Sequence, residues 1–554
     1  MSVRSILSSL VFRPKLLDCL PGYNRHQLGL DVASGITVGV LALPLAMAFA
    51  IASGCTPTAG IWTAIVAGLI ISALGGSRVQ IGGPTGAFIP IVYGIVVMYG
   101  FGNLLIATML AGVFLLIMGF ARLGQFIRFI PVTVVIGFTN GIAVVIFMAQ
   151  LKDFMGLDIE QVPAEFFGKV RVLATEAHTV DLQTLALSTI CLIFLLSYGR
   201  ISGWFPLLKK IPGQLLVLVL GTVGAMLAGL DVETIGSRFN GIPQEVPPFS
   251  LPPLSLETLG KLISPAITIA LLGAIESLLS ARVADGAIDD RHDPNQELIA
   301  QGLANIAAPL FGGFAATGAI ARTTTNVRAG GRTPVAGIVH ALVLMLIVLV
   351  AAPLAEHVPL GVLSAIVMVT AINMGEWHEF KELRRYSVNY RTILLATFLV
   401  TVIFDLTIAV ELGMLLACLF FIYRMSELTR VEPIQLETLI SQHNVVAYGI
   451  YGSLFFGAIN KVEGLIKPGE TPPEVFILDA SRLIQLDTTG LEALENLHNQ
   501  LAKVFSQLII CGLNPQPGSL MLRSGFIDAV GEENVCDTLA RAEMRANTLL
   551  HKMA

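Results

Sequence analysis

Charge is scarce in this chain. Asp, Glu, Lys and Arg make up 13% of its 554 residues, against about 25% in a soluble domain. Most of the chain therefore cannot be surface facing water. The formal net charge of −5 gives no case for nucleic-acid binding. The six cysteines (Cys19, Cys55, Cys191, Cys418, Cys511, Cys536) are scattered, with no C-x-x-C. They form neither a disulfide framework nor a zinc site. H-E-x-x-H, the P-loop G-x-x-x-x-G-K-[ST] and the dinucleotide fingerprint are all missing. No metal, cofactor or enzymatic activity is expected, and an ATP-driven pump is disfavoured. The first 27 residues carry Arg4, Arg13, Lys15 and Arg25 without the apolar run or cleavage site of a secretory signal.

What the chain does have is apolar length. It is 54% hydrophobic, with a mean hydropathy of +0.77. A membrane helix needs about 20 mostly apolar residues. Fourteen segments are expected, near 30–52, 58–75, 84–99, 103–120, 129–150, 181–198, 211–229, 262–282, 297–311, 317–328, 335–352, 359–374, 391–405 and 407–424. The third and tenth are short, and each begins at a Gly-rich motif. They read as half-helices preceded by extended chain. Irregular backbone at membrane depth is tolerated where it is buried in protein or lines a cavity.

Those two motifs resemble each other. One is Gly82-Gly83-Pro84-Thr85-Gly86-Ala87-Phe88, and the other runs from Gly312-Gly313 through Ala316-Thr317-Gly318-Ala319-Ile320. Upstream, Ile36-Thr37-Val38-Gly39-Val40-Leu41 matches Ile267-Thr268-Ile269-Ala270-Leu271-Leu272. The offsets are 231 and 232 residues, which indicates an internal duplication. Two halves of seven segments each must insert with opposite orientation. Corresponding broken segments in such inverted repeats point to a transporter's binding site. With the N-terminus in the cytoplasm, sixteen Lys and Arg fall on cytoplasmic connections, among them Arg78, Arg128, Lys209, Lys210 and Arg384. Five fall outside: Lys152, Lys169, Arg171, Arg238 and Lys261. This is the bias that the positive-inside rule requires.

Three domains are expected: a cytoplasmic segment 1–27, a transmembrane domain 28–430 with repeats near 30–230 and 262–425, and a cytoplasmic domain 431–554. The last is more polar. Val445–Tyr451, Val475–Leu478 and Leu508–Ile510 read as strands, and Thr489–Lys503 as an amphipathic helix. It is a small α/β domain.

The chemistry should sit at the half-helix starts. A helix N-terminus presents unpaired N–H groups and the positive end of its dipole, and it attracts anions. Threonine hydroxyls at 85 and 317 add hydrogen bonds. Arg322, one turn beyond the second motif, is a fixed charge in an apolar region. It either serves an anion site or snorkels from the helix end. Glu276 lies mid-segment and suits proton coupling; the competing reading is a salt bridge with Arg322. Asp405 and Glu411, at the start of the last segment, read as interfacial. No histidine, His340 included, is assigned to the site.

At these residues a resemblance becomes specific. Ala42–Ala50 (ALPLAMAFA), Gly83-Pro84-Thr85-Gly86, Asn295–Ala300 (NQELIA) and Arg322 to Gly331 are similar to the sulfate permease family, the SulP/SLC26 anion transporters. Leu478–Ser481 and Leu486–Leu491 resemble a STAS domain. The match runs along essentially the whole chain. The resemblance implies a core domain (segments 1–4 and 8–11), a gate domain, elevator-like alternating access and a homodimer. It implies a substrate site at Leu45, Phe49, Thr85, Gly86, Ala319, Ile320, Ala321 and Arg322, with Glu276 at the carboxylate position. Sodium-coupled bicarbonate members look to carry aspartate in place of Glu276 and threonine in place of Ile320, and to lack Arg322. Those departures favour protons.

The flavour is closest to the aerobic C4-dicarboxylate transporters of enterobacteria. The expected function is proton-coupled symport of sulfate or a C4-dicarboxylate such as succinate, in a bacterial inner membrane with both termini cytoplasmic. The alternatives are a bicarbonate symporter, an anion channel or exchanger, or a membrane-tethered regulator acting through its STAS domain. A cytoplasmic protein is a candidate STAS partner. By resemblance Thr488 is a regulatory phosphosite; the plainer reading makes it a loop-to-helix cap.

Overall fold

The computed structural model describes residues 12–125, 131–159, 162–163, 165–204, 212–241, 243–252, 256–404, 406–436, 445–465 and 472–553. Arg4, Arg128, Lys209, Lys210 and Asp405 lie outside them. The chain divides into two compact units, Met1–Met414 and Leu415–Ala554.

Every expected membrane segment is met by a helix. They are segment 1 (Arg25–Ala52), 2 (Pro57–Leu74), 3 (Ile89–Tyr99), 4 (Phe101–Phe120), 5 (Val132–Met155), 6 (Leu182–Trp204) and 7 (Gly213–Leu227). The second half supplies 8 (Leu256–Ile288), 9 (Pro294–Leu310), 10 (Ile320–Arg328), 11 (Val335–Ala355), 12 (Leu360–Met374), 13 (Val388–Ile403) and 14 (Leu406–Leu428). Segments 1, 2, 4, 5, 6 and 8 are each long and apolar enough to cross a membrane alone. Local chemistry sets several starts. Asn24 accepts from the Gln27 N–H at the head of segment 1. Asp293 accepts from Asn295 and Gln296 at segment 9, where Pro294 opens the helix. Segment 8 runs well beyond the expected 262–282 at both ends. Short helices at Phe166–Thr175, Ile235–Phe239 and Trp377–Glu382 decorate the connections.

Segments 1–4 and 8–11 pack on one another, while segment 5 packs with 12 and 13. Small residues make close approach feasible, since lipid gives helices no hydrophobic drive to associate. A Cβ on Gly112 of segment 4 would lie 2.7 Å from the Gly302 carbonyl of segment 9; a Cβ on Gly302 would lie 2.7 Å from the Gly112 carbonyl. Segments 5 and 13 meet likewise, at Gly137 against the Leu394 carbonyl.

Segments 3 and 10 are short because glycine and proline break the chain ahead of them. β1 (Gly82–Gly83) and β2 (Thr317–Gly318) pair antiparallel, Gly82 opposite Gly318 and Gly83 opposite Thr317. Opposed half-helices therefore start from one two-stranded ladder buried in the core.

The second unit carries a five-stranded sheet in the order β3 (Arg430–Pro433), β4 (Val445–Leu454), β5 (Val475–Leu486), β6 (Gln507–Cys511), β7 (Val535–Cys536). β3 is antiparallel to β4; the other neighbours are parallel. The helix Thr488–Lys503 buries Leu491, Leu494, Leu497 and Leu501.

Candidate functional site

The two crossings present different groups. In the first, a 3-10 turn (Gly86–Phe88) precedes segment 3, and extended Thr85 is its N-cap residue without a side-chain cap bond. Thr85 Oγ1 donates instead to Glu276 Oε2 of segment 8, at 2.9 Å. In the second, Ala319 heads segment 10, again with no side-chain cap. Its N–H donates to the Ile81 carbonyl at 2.9 Å. Both half-helices thus begin inside the core without a side-chain cap; segments 4, 5, 7, 11 and 12 also lack one, while segments 1, 2, 9 and 13 are capped by Asn24, Thr56, Asp293 and Ser387. An uncapped N-terminus keeps its N–H donors available for an anion.

Arg322 is 1% exposed, so it does not snorkel. Its Nη2 donates to the Pro84 carbonyl at 2.6 Å. Its Nη1 has no hydrogen-bond partner. That nitrogen lies over Gly83, where a Cβ would come within 2.2 Å of it. Glycine at 83 leaves the guanidinium room to sit there. Glu276 makes no ion pair with Arg322: Glu276 is held by Thr85 and Arg322 by Pro84. The competing reading, a salt bridge between them, is not met: adjacent residues of the first crossing hold the two charges apart.

Leu45 and Phe49 are buried on segment 1. A Cβ on Gly86 would come 3.7 Å from the Phe49 ring and 3.2 Å from Ile146 of segment 5. Ala319 is buried, whereas Ile320 and Ala321 are exposed. Thr85, Gly86, Phe49, Glu276 and Arg322 are thus linked through the first crossing.

Thr317 corrects the sequence reading. It lies in β2, three residues before the helix starts, and its hydroxyl pairs with Ser277 Oγ at 2.6 Å and the Gly273 carbonyl at 3.1 Å. It is fully buried scaffold and offers nothing to a ligand. The capping role given to Thr488 is corrected too. Asp487 caps that helix, accepting from the Gly490 N–H at 2.7 Å, and Thr488 is its exposed first residue.

A supporting polar layer went unread in the sequence. Gln80 donates to Glu297 and to the Ser277 carbonyl. Glu297 accepts from the Gly76 and Ser77 N–H groups, and Asn305 pins both backbone groups of Ala316. Thr323 accepts from the Ile81 N–H at 3.1 Å. Glu297, Gln301 and Asn305 recur every four residues, a polar stripe on one helix face that periodicity alone could have found. His340 is fully buried against Gly68.

Residues 28–397 match the family model "Sulfate permease family". The chain belongs to the sulfate permease family. Residues 438–542 match the STAS domain. A Bacillus subtilis (strain 168) protein named "Putative sulfate transporter YvdB" is 42% identical, covering 93% of this chain and 97% of its own. The bicarbonate transporter BicA of Picosynechococcus sp. is 31% identical over 87% of this chain and 88% of its own. The transmembrane domain of a cyanobacterial BicA, 31% identical, superposes with a TM-score of 0.64 over 70% of this chain and 98% of that one. Murine Slc26a9, solved in the inward-facing state, gives 0.84 over 99% and 95% at 19% identity, a likeness of fold alone. This sulfate permease family member is a multi-pass membrane transporter, not an enzyme.

Proposed function

We propose that the chain is a secondary active transporter of a small oxyanion, sulfate first, driven by protons. The observation that carries this is the buried Arg322 guanidinium, with one nitrogen free above Gly83, between two uncapped half-helix starts. Its fixed positive charge and the two sets of N–H donors suit an anion that sheds its water. Leu45, Phe49, Gly86, Ala319, Ile320 and Ala321 shape the pocket. Glu276 takes up and releases the coupling proton, and Thr85 reports its state to the first crossing. Movement of segments 1–4 and 8–11 against segments 5–7 and 12–14 supplies alternating access. The protein works as a homodimer in a bacterial inner membrane, with both termini cytoplasmic and the STAS domain open to a protein partner. C4-dicarboxylates such as succinate are the larger substrates to compare.

Bicarbonate is the second reading, favoured by the likeness to BicA. Uptake of labelled sulfate, succinate and bicarbonate into proteoliposomes, with and without an inward proton gradient, separates these readings. Proton-driven accumulation of sulfate is the expected result. Gradient-independent equilibration of every anion would make the chain a channel or exchanger and Glu276 a structural group.

A further inference from the structure

Three of the five cations expected on the outer connections meet in one cavity of about 450 Å³. It opens at the membrane face where segment 1 ends, between Ile51 and Cys55 of that segment, Ile89 and Tyr93 of segment 3, and Val145 of segment 5. Ile51 and Ile89 stand two and three residues beyond the site residues Phe49 and Gly86. The cavity therefore lies between the binding site and that face.

Its charges are not equally satisfied. Arg238 donates to Asp153 at 2.8 Å and to Glu233 at 2.7 Å. Lys152 donates to the Ile159 carbonyl. Asp158, the remaining acidic group of the lining, is exposed. Lys169 is different. It is 5% exposed, yet among the described residues no hydrogen bond or ion pair reaches its ammonium. Its ammonium lies 6.0 Å from the centre of the Tyr93 ring, whose hydroxyl is committed to the Val162 carbonyl. Burial pulls this lysine below its ordinary range. A buried charge without a partner is costly, and a bound counter-ion relieves the cost.

We propose that this cavity is a second anion site, distinct from the Arg322 site, in which Lys169 binds a small oxyanion at the mouth of the transport path. The choice of oxyanion rests on the transport reading above; the existence of the site does not. Tyr93 and the apolar wall exclude water from one side of the ammonium, and the cavity leaves the other side open to the ligand.

The test uses the purified full-length protein, with sodium sulfate and sodium bicarbonate as probes and the thermal midpoint as readout. In an Arg322→Ala background, either probe should still raise the midpoint by several degrees. Adding Lys169→Met should abolish that shift or demand at least tenfold more anion, and Lys169→Arg should restore it. Without anion, Lys169→Met should melt higher than its parent, because an uncompensated charge is gone. A folded Lys169→Met protein with an unchanged anion response overturns the proposal, and so does the absence of any response in the Arg322→Ala background. A wild-type response that Arg322→Ala leaves whole and Lys169→Met removes would keep this site and sink the role given to Arg322.

Discussion

The two Gly-rich crossings share the letters Thr-Gly-Ala and use them differently. In the first, Thr85 stands beside a 3-10 turn and its hydroxyl reaches Glu276. In the second, Thr317 sits in β2 and its hydroxyl is absorbed by Ser277 and Gly273. The second crossing contributes a side chain, Arg322, and the first receives it on a carbonyl, Pro84. Two similar backbones thus differ in where the helix begins, and that shift decides which threonine hydroxyl reaches Glu276 and which is buried in the scaffold. One crossing carries the fixed charge and the other touches the titratable one.

The comparison can be broken at its strongest point first. Arg322→Ala should weaken anion binding by about 2–3 kcal/mol, roughly 30- to 150-fold, the worth of a charged hydrogen bond in a buried site. Calorimetric titration checks it, and unchanged affinity would return Arg322 to a structural role. Glu276→Gln should abolish proton-driven accumulation in proteoliposomes while binding stays within about threefold. Persistent uphill uptake would remove Glu276 from coupling. Thr317→Val should cost about 1–2 kcal/mol of stability by removing the buried hydrogen bonds its hydroxyl makes with Ser277 and the Gly273 carbonyl, with anion affinity kept. The equivalent Thr85→Val should do the reverse, sparing stability and disturbing the pH dependence of uptake. If the two variants behave alike, the division of labour between crossings is wrong. The smallest effect belongs to a helix start that does have a cap: Asp487→Ala should lower STAS-domain stability by about 1 kcal/mol, read by denaturant unfolding, without touching anion affinity.

Much of the architecture was legible because membrane helices announce themselves by apolar length and glycine or proline breaks. The ends were less so. Segment 8 continues to Ile288 through Arg282 and Asp285, which read as loop because charged residues normally mark an interface. The connecting helices Phe166–Thr175 and Trp377–Glu382 are too short and mixed to carry a period. In the site, Arg322 and Glu276 stood out as charges in apolar surroundings. The Pro84 carbonyl did not, since a backbone acceptor leaves no mark in the sequence. Thr317 was misread because the direction of a hydroxyl depends on strand register, which motif similarity does not fix. For the same reason Thr488 took the capping role that belongs to its neighbour Asp487.

The reciprocal contact of Gly112 and Gly302 carries a consequence for change over time. Most packed pairs can be repaired: one residue grows and its partner shrinks. Here neither partner has anything left to give up, because each already lacks a side chain and meets the other's carbonyl at 2.7 Å from the position a Cβ would take. A larger residue at either place has no compensating substitution across the contact. The seam between segments 4 and 9 is a point where drift has no second step, and variation in this transporter must run through other parts of the chain.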